Sequence, residues 1–99
     1  VYRLRSPRGG RGHEQGGQRF AVVVQSDALP LSTWLIAPTS SSARPASFRP
    51  EVQLQGLTTR VLAEQTAAID PTRLGQRVGQ LSFHERHKVD AALRIVLQL

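Results

Sequence analysis

Phe20-Ala21-Val22-Val23-Val24-Gln25 is the run on which the fold of this chain turns. It is too short for a helix and rich in β-branched side chains, and it shows no polar alternation, so it reads as a central strand buried on both faces. Upstream, Val1-Tyr2-Arg3-Leu4-Arg5 alternates apolar and basic residues at period two, the pattern of a strand with one buried face. A strand that begins at the first residue suggests that a few native N-terminal residues are missing. Between the two strands lies the Gly/Arg-rich stretch 6–18, which carries five of the eight glycines and reads as a loop. It has neither the Gly-Lys-Ser/Thr of a P-loop nor a dinucleotide fingerprint.

Downstream, Thr33-Trp34-Leu35-Ile36-Ala37 is expected to form a third strand stopped by Pro38, followed by the polar loop Thr39-Ser40-Ser41-Ser42-Ala43-Arg44-Pro45. Glu51-Val52-Gln53-Leu54 alternates as a half-exposed strand. Gly56 turns the chain into a further strand over Arg60–Thr66, and Gly75 and Gly79 flank a short one around Arg77-Val78. Ser82-Phe83-His84-Glu85 is a capping box, after which Val89, Ala92, Leu93, Val96 and Leu97 recur at helical spacing. The expected fold is therefore mainly β with one C-terminal helix of about 16 residues, a small antiparallel barrel or sandwich in a single domain over 1–99.

Charge narrows the function. Thirteen basic residues stand against seven acidic, a net charge of +6, and every basic residue except Lys88 is arginine. Arginine's planar fork of donors fits phosphate and stacks on bases, so the balance points to a polyanionic partner. Arg3, Arg5, Arg8, Arg11 and Arg19 face only Glu14 within the first twenty residues. With no cysteine, the chain has no disulfide, thiolate nucleophile or cysteine zinc site. His84 and His87 are three apart, not at the spacing of a zinc-protease helix, and the carboxylates are too scattered to hold paired Mg²⁺ ions. No metal or cofactor is expected. The longest apolar run, Phe20–Val24, is far short of the roughly 20 residues that span a bilayer, and no signal peptide is visible. A soluble, cytoplasmic chain with no membrane partner is the expectation.

A nuclease without metal can use the 2′-hydroxyl of RNA as its nucleophile. It then needs proton-transfer groups and donors for the charge that develops on phosphorus. Arg19 ends the loop and opens the buried strand, which suits it to the last task. Thr39, Ser40 and Ser41 follow Pro38 at the end of another strand. If the two strands are neighbours, Arg19 and these hydroxyls meet at one end of the sheet. Glu14 and His13 are the available proton-transfer groups.

Two motifs carry a family resemblance. Gly12-His13-Glu14-Gln15-Gly16-Gly17-Gln18-Arg19-Phe20 resembles the Gly-x-Glu-x-x-x-x-Arg-Pro signature of MazF/PemK-type toxins, and Ala37-Pro38-Thr39-Ser40-Ser41 resembles their Pro-x-Thr-Thr/Ser motif. Glu64-Gln65 stands where the family commonly has Asp-Gln. The resemblance implies an SH3-like barrel of the MazF/CcdB/Kid type, a homodimer and a MazE-like antitoxin. It also implies cleavage of single-stranded RNA (mRNA, tRNA or rRNA) to a 2′,3′-cyclic phosphate and a 5′-hydroxyl. It assigns the catalytic roles to Arg19, Ser40 and Glu14, with Thr39 as the alternative hydroxyl. Arg8, Arg11, His13, Gln15, Arg44 and Gln65 become the candidate RNA contacts. Three positions depart from the pattern: Phe20 replaces a proline, Ser40 a threonine and Ala67 a basic residue. The competing readings are a CcdB-like toxin that poisons gyrase without being an enzyme, and a catalytically silent RNA-binding module.

Overall fold

The computed structural model describes residues 1–4, 19–26 and 32–99. The loop expected over 6–18 lies outside them. Seven strands and one helix follow in chain order: β1 (Tyr2–Leu4), β2 (Phe20–Val23), β3 (Trp34–Ser40), β4 (Glu51–Leu54), β5 (Leu57–Val61), β6 (Ala67–Ile69), β7 (Leu74–Arg77) and α1 (Phe83–Leu97). The strands form one sheet in the order β4-β5-β3-β2-β1-β7, with β6 paired to β3 beside β5. All pairings are antiparallel. The fold is the expected small antiparallel one closed by a helix, with one correction: the sheet does not join its ends into a barrel among the described residues.

The β2 strand is central, with β1 on one side and β3 on the other. Alternation divides its side chains between two apolar clusters. Phe20 and Val22 pack with Ala37, Val52, Leu54, Val61 and the helix residue Val89. Ala21 packs on the opposite face with Ile36 and Leu74, rimmed by Tyr2, Leu4, Val23, Trp34 and Ile69. A strand buried on both faces has no position for a polar side chain, which is why its sequence shows no alternation.

Pro38 does not stop β3; the strand runs through it to Ser40. Below Pro38, β3 pairs with β6 at Trp34–Ile36, and above it with β5 at Thr39 and Ser40. Pro38 sits where one partner hands over to the other. It accepts a hydrogen bond from Leu62 N at 2.8 Å, and the N–H it lacks falls at the break in the ladder. The strand expected over Arg60–Thr66 is likewise broken. It ends at Val61, and a 3-10 turn at Ala63–Gln65 carries the chain into β6. Gly75 lies inside β7 rather than before it, beside Arg3 where β1 and β7 pair irregularly. The β4–β5 hairpin closes on Gln55-Gly56, both at positive φ (52° and 79°), the backbone of a type I′ turn.

The α1 helix begins at the expected capping box: the Ser82 hydroxyl accepts from Glu85 N at 3.1 Å, and the Glu85 carboxylate accepts from Ser82 N at 3.0 Å. Val89 and Ala92 are buried, but Leu97, expected on the same stripe, is 60% exposed. The helix also closes the outer edge of β4. The second carboxylate oxygen of Glu85 accepts from Gln53 N at 2.8 Å, and Lys88 Nζ donates to Glu51 O at 2.8 Å. Burial raises the pKa of Glu85, but the hydrogen bonds from Gln53 and Ser82, with Lys88 nearby, outweigh it and hold the carboxyl below its ordinary value.

Ser82→Ala should lower the unfolding free energy by about 1 kcal/mol, read from urea midpoints at constant slope. Because Glu85 is depressed in the folded state, its stabilisation is present above the ordinary carboxylate range and is lost as pH falls through the depressed value. Glu85→Gln should therefore flatten the acid limb of the stability–pH curve, measured by urea unfolding from about pH 6 to pH 2.

Candidate active site

Arg19 is the residue immediately before β2. The β2–β3 register sets Ala21 against Pro38. Carried outward, it sets Phe20 against Thr39 and Arg19 against Ser40. Two side-chain bonds seal this end of the ladder. Phe20 N donates to Thr39 Oγ1 at 3.0 Å, and Arg19 Nε donates to Thr39 O at 2.9 Å. Phe20 and Thr39 are both fully buried. The Thr39 carbonyl belongs to the peptide bond that leads into Ser40, so the Arg19 guanidinium is fixed beside that residue.

Strand alternation separates the two candidate hydroxyls. Thr39 points into the core and commits its hydroxyl to Phe20 N. Ser40 points to the other face and is only partly buried. Its Oγ lies 3.3 Å from Ser42 Oγ and accepts from Ser42 N at 3.3 Å. The backbone donor that Phe20 supplies in place of a proline thus ties this end of the ladder down.

On the far side of β3, Ser40 faces Arg60 of β5, which in turn faces Glu51 of β4. Arg60 Nη1 donates to Arg49 O at 2.9 Å, and Arg60 Nη2 stands 3.7 Å from a Glu51 carboxylate oxygen. Arg49 is committed elsewhere: its Nε and Nη2 reach one oxygen of Glu64 at 3.0 and 2.7 Å, and its Nη1 donates to Arg44 O at 3.3 Å. For Glu64, burial pushes the pKa up, but the hydrogen bonds and charge of Arg49 prevail and keep the carboxylate below its ordinary value. These bonds pin the segment between β3 and β4 against the 3-10 turn. Sequence reasoning picked out neither Arg60 nor the Arg49–Glu64 pair. Strand pairing is long-range, and nothing local to Arg60 reports its neighbour.

The other residues singled out from sequence fall as follows. Arg44 and Gln65 are exposed, on the segment after β3 and at the end of the 3-10 turn. Arg8, Arg11, His13, Glu14 and Gln15 lie outside the described residues. His84 and His87 are on α1, where the His87 ring meets Phe83 edge-on at 4.9 Å. Among the described residues, no three His, Asp or Glu side chains converge as a metal site requires.

This fold is that of a toxin class. Residues 1–97 match the family model described as PemK-like, MazF-like toxin of type II toxin-antitoxin system, and the chain belongs to that family. It is 40% identical over 100 residues to "Putative toxin Rv3098A/RVBD_3098A" of Mycobacterium tuberculosis (strain ATCC 25618 / H37Rv), covering 100% of this chain and 94% of that protein. Among solved structures, Mycobacterium tuberculosis toxin MazF-mt6 superposes with a TM-score of 0.78 at 14% identity, covering 99% of this chain and 95% of the other. A mycobacterial endoribonuclease in complex with its cognate antitoxin gives 0.79 at 19% identity, with 100% and 91% covered. MazF from Deinococcus radiodurans gives 0.71 at 25% identity, with 99% and 93% covered.

Thr39→Val keeps the side-chain shape but leaves the buried Phe20 N–H without its acceptor. It should cost about 1–3 kcal/mol of stability, whereas Thr39→Ser, which keeps the hydroxyl, should cost less. Urea unfolding of the two variants compares them directly.

Proposed function

We propose that this toxin is a sequence-specific, metal-independent endoribonuclease that cuts single-stranded RNA, acting as a cytoplasmic homodimer neutralised by a MazE-like antitoxin. The observation that carries the reading is the pairing of Arg19 with Ser40. A guanidinium anchored through its Nε stands beside an outward-facing hydroxyl, while the neighbouring Thr39 hydroxyl is consumed in the core. In this reading the RNA 2′-hydroxyl attacks phosphorus and expels the 5′-oxygen, leaving a 2′,3′-cyclic phosphate and a 5′-hydroxyl. Arg19 stabilises the phosphorane charge, a role suited to a group that stays protonated. Ser40 donates to a phosphate oxygen, and Glu14 with His13 carries the protons. Arg8, Arg11, Gln15, Arg44 and Gln65 hold the strand.

The family supports an antitoxin partner, and so does the likeness to an endoribonuclease solved with its own. The homodimer is supported by the half-buried apolar face around Tyr2 and Trp34, whose rings stand 5.6 Å apart on the side of β2 away from Val89.

Incubation with a long single-stranded RNA in EDTA should give discrete cuts. A shifted but intact band would indicate an RNA-binding module, and no interaction would favour a gyrase-directed toxin. Arg19→Lys keeps the charge but loses the fork, and should cut at least about 10²-fold more slowly with binding little changed. Ser40→Ala should be crippled and Ser40→Thr active; the reverse sensitivity, with Thr39→Ala the inactive variant, would refute the hydroxyl assignment. Replacing Arg8 and Arg11 together by Gln should weaken all single strands alike. The log–log salt slope of binding should fall by about 0.7 for each phosphate that is no longer neutralised.

A further inference from the structure

Arg19, Ser40, Arg60 and Glu51 stand in one row across adjacent strands. Ser40 and Arg60 are direct partners, Arg60 and Glu51 are direct partners, and the β2–β3 register, carried two residues past the Ala21–Pro38 pair, sets Arg19 opposite Ser40. Direct partners in an antiparallel sheet present their side chains on the same face, and neighbouring strands are about 4.8 Å apart. Thr59 and Val61, on either side of Arg60, are buried on the opposite face. Ser40 therefore has a guanidinium-bearing residue on each side. We infer that Arg60 is a second phosphate-binding cation of this site, holding the phosphate that flanks the scissile one. This rests on the endoribonuclease reading above.

Geometry decides between the two phosphates. The Arg60 guanidinium leans away from Ser40, toward the Arg49 carbonyl and Glu51, one strand further out. A phosphate seated over Ser40 is served by Arg19, and the next one along falls to Arg60. Arg60 is also available for the task. Its contact with Glu51 is 3.7 Å, beyond hydrogen-bond range, between side chains 24% and 48% exposed. Such an ion pair is worth little and is readily exchanged for a phosphate that takes two donors at once. Arg49, whose carbonyl accepts from Arg60, has its own guanidinium locked on Glu64 at 2.7 Å and does not compete. Glu51 then acts as a counter-charge that the RNA must displace, and so opposes binding.

The test pairs steady-state cleavage of a single-stranded RNA with fluorescence anisotropy of a 2′-O-methyl strand, which binds without being cut, across a salt series. Arg60→Gln should raise KM about tenfold, leave kcat within about twofold and flatten the salt slope by about 0.7. Removing a merely structural bond to Arg49 would not change that slope. Glu51→Gln should lower KM several-fold in the parent, but should have no effect once Arg60 is replaced. An unchanged KM and slope in Arg60→Gln, or a loss confined to kcat, overturns the assignment. If Arg60→Gln fails to fold, an unchanged KM in Glu51→Gln overturns it alone. A parent chain that cuts RNA while both variants match it refutes only the role of Arg60. A parent chain that neither cuts nor binds refutes the endoribonuclease reading and the role of Arg60 together.

Discussion

Thr39 takes two hydrogen bonds from consecutive residues, Phe20 N on its hydroxyl and Arg19 Nε on its carbonyl, and the rest of the molecule is arranged around that junction. Both bonds lie at the end of the β2–β3 ladder, where a slip of one residue would turn every side chain of β2 to the wrong face. With the register fixed, Phe20 and Val22 must face the helix side and Ala21 the other, so the two apolar clusters follow. Alternation then sends Ser40 outward beside Arg19. A single buried threonine, satisfied at both of its oxygens, thus sets the packing of the core and the composition of the site.

The electrostatics follow the same economy. In a chain with a net charge of +6, two of the few carboxylates stand against arginines. Glu64 holds Arg49, which fixes the segment bearing Arg44, while Glu51 faces Arg60 only loosely. Glu85 has a purely architectural role, joining the helix start to the edge of the sheet. One helix terminus thereby covers backbone groups that an edge strand would otherwise offer to another chain.

Much of this was legible in the sequence, for reasons that are local. The Ser82–Glu85 cap depends on four consecutive residues, the Glu51–Leu54 strand on plain alternation, and the centrality of β2 on an apolar run without polar breaks. What was not legible depends on partners. Pro38 is harmless inside β3 only because β5 gives way to β6 at that point, and no property of Pro38 announces this. Arg60–Thr66 reads as one strand between turn signals, yet the chain turns after Val61 to bring β6 back to β3. In the site, Arg19 and the hydroxyl cluster were visible as types at strand ends. The division of labour between Thr39 and Ser40 required knowing which face each one takes, and Arg60 required knowing its neighbour.

Phe20 stands where the family signature carries proline, and its backbone nitrogen is now employed. A return to proline would leave the Thr39 hydroxyl buried with no donor, and would replace the largest fully buried side chain of the core. In this core the signature residue is the destabilising one. Residues 20 and 39 are physically coupled through this bond, so a change at one is felt at the other. Grafting the signature motif back whole would test compatibility with this core, not catalytic competence.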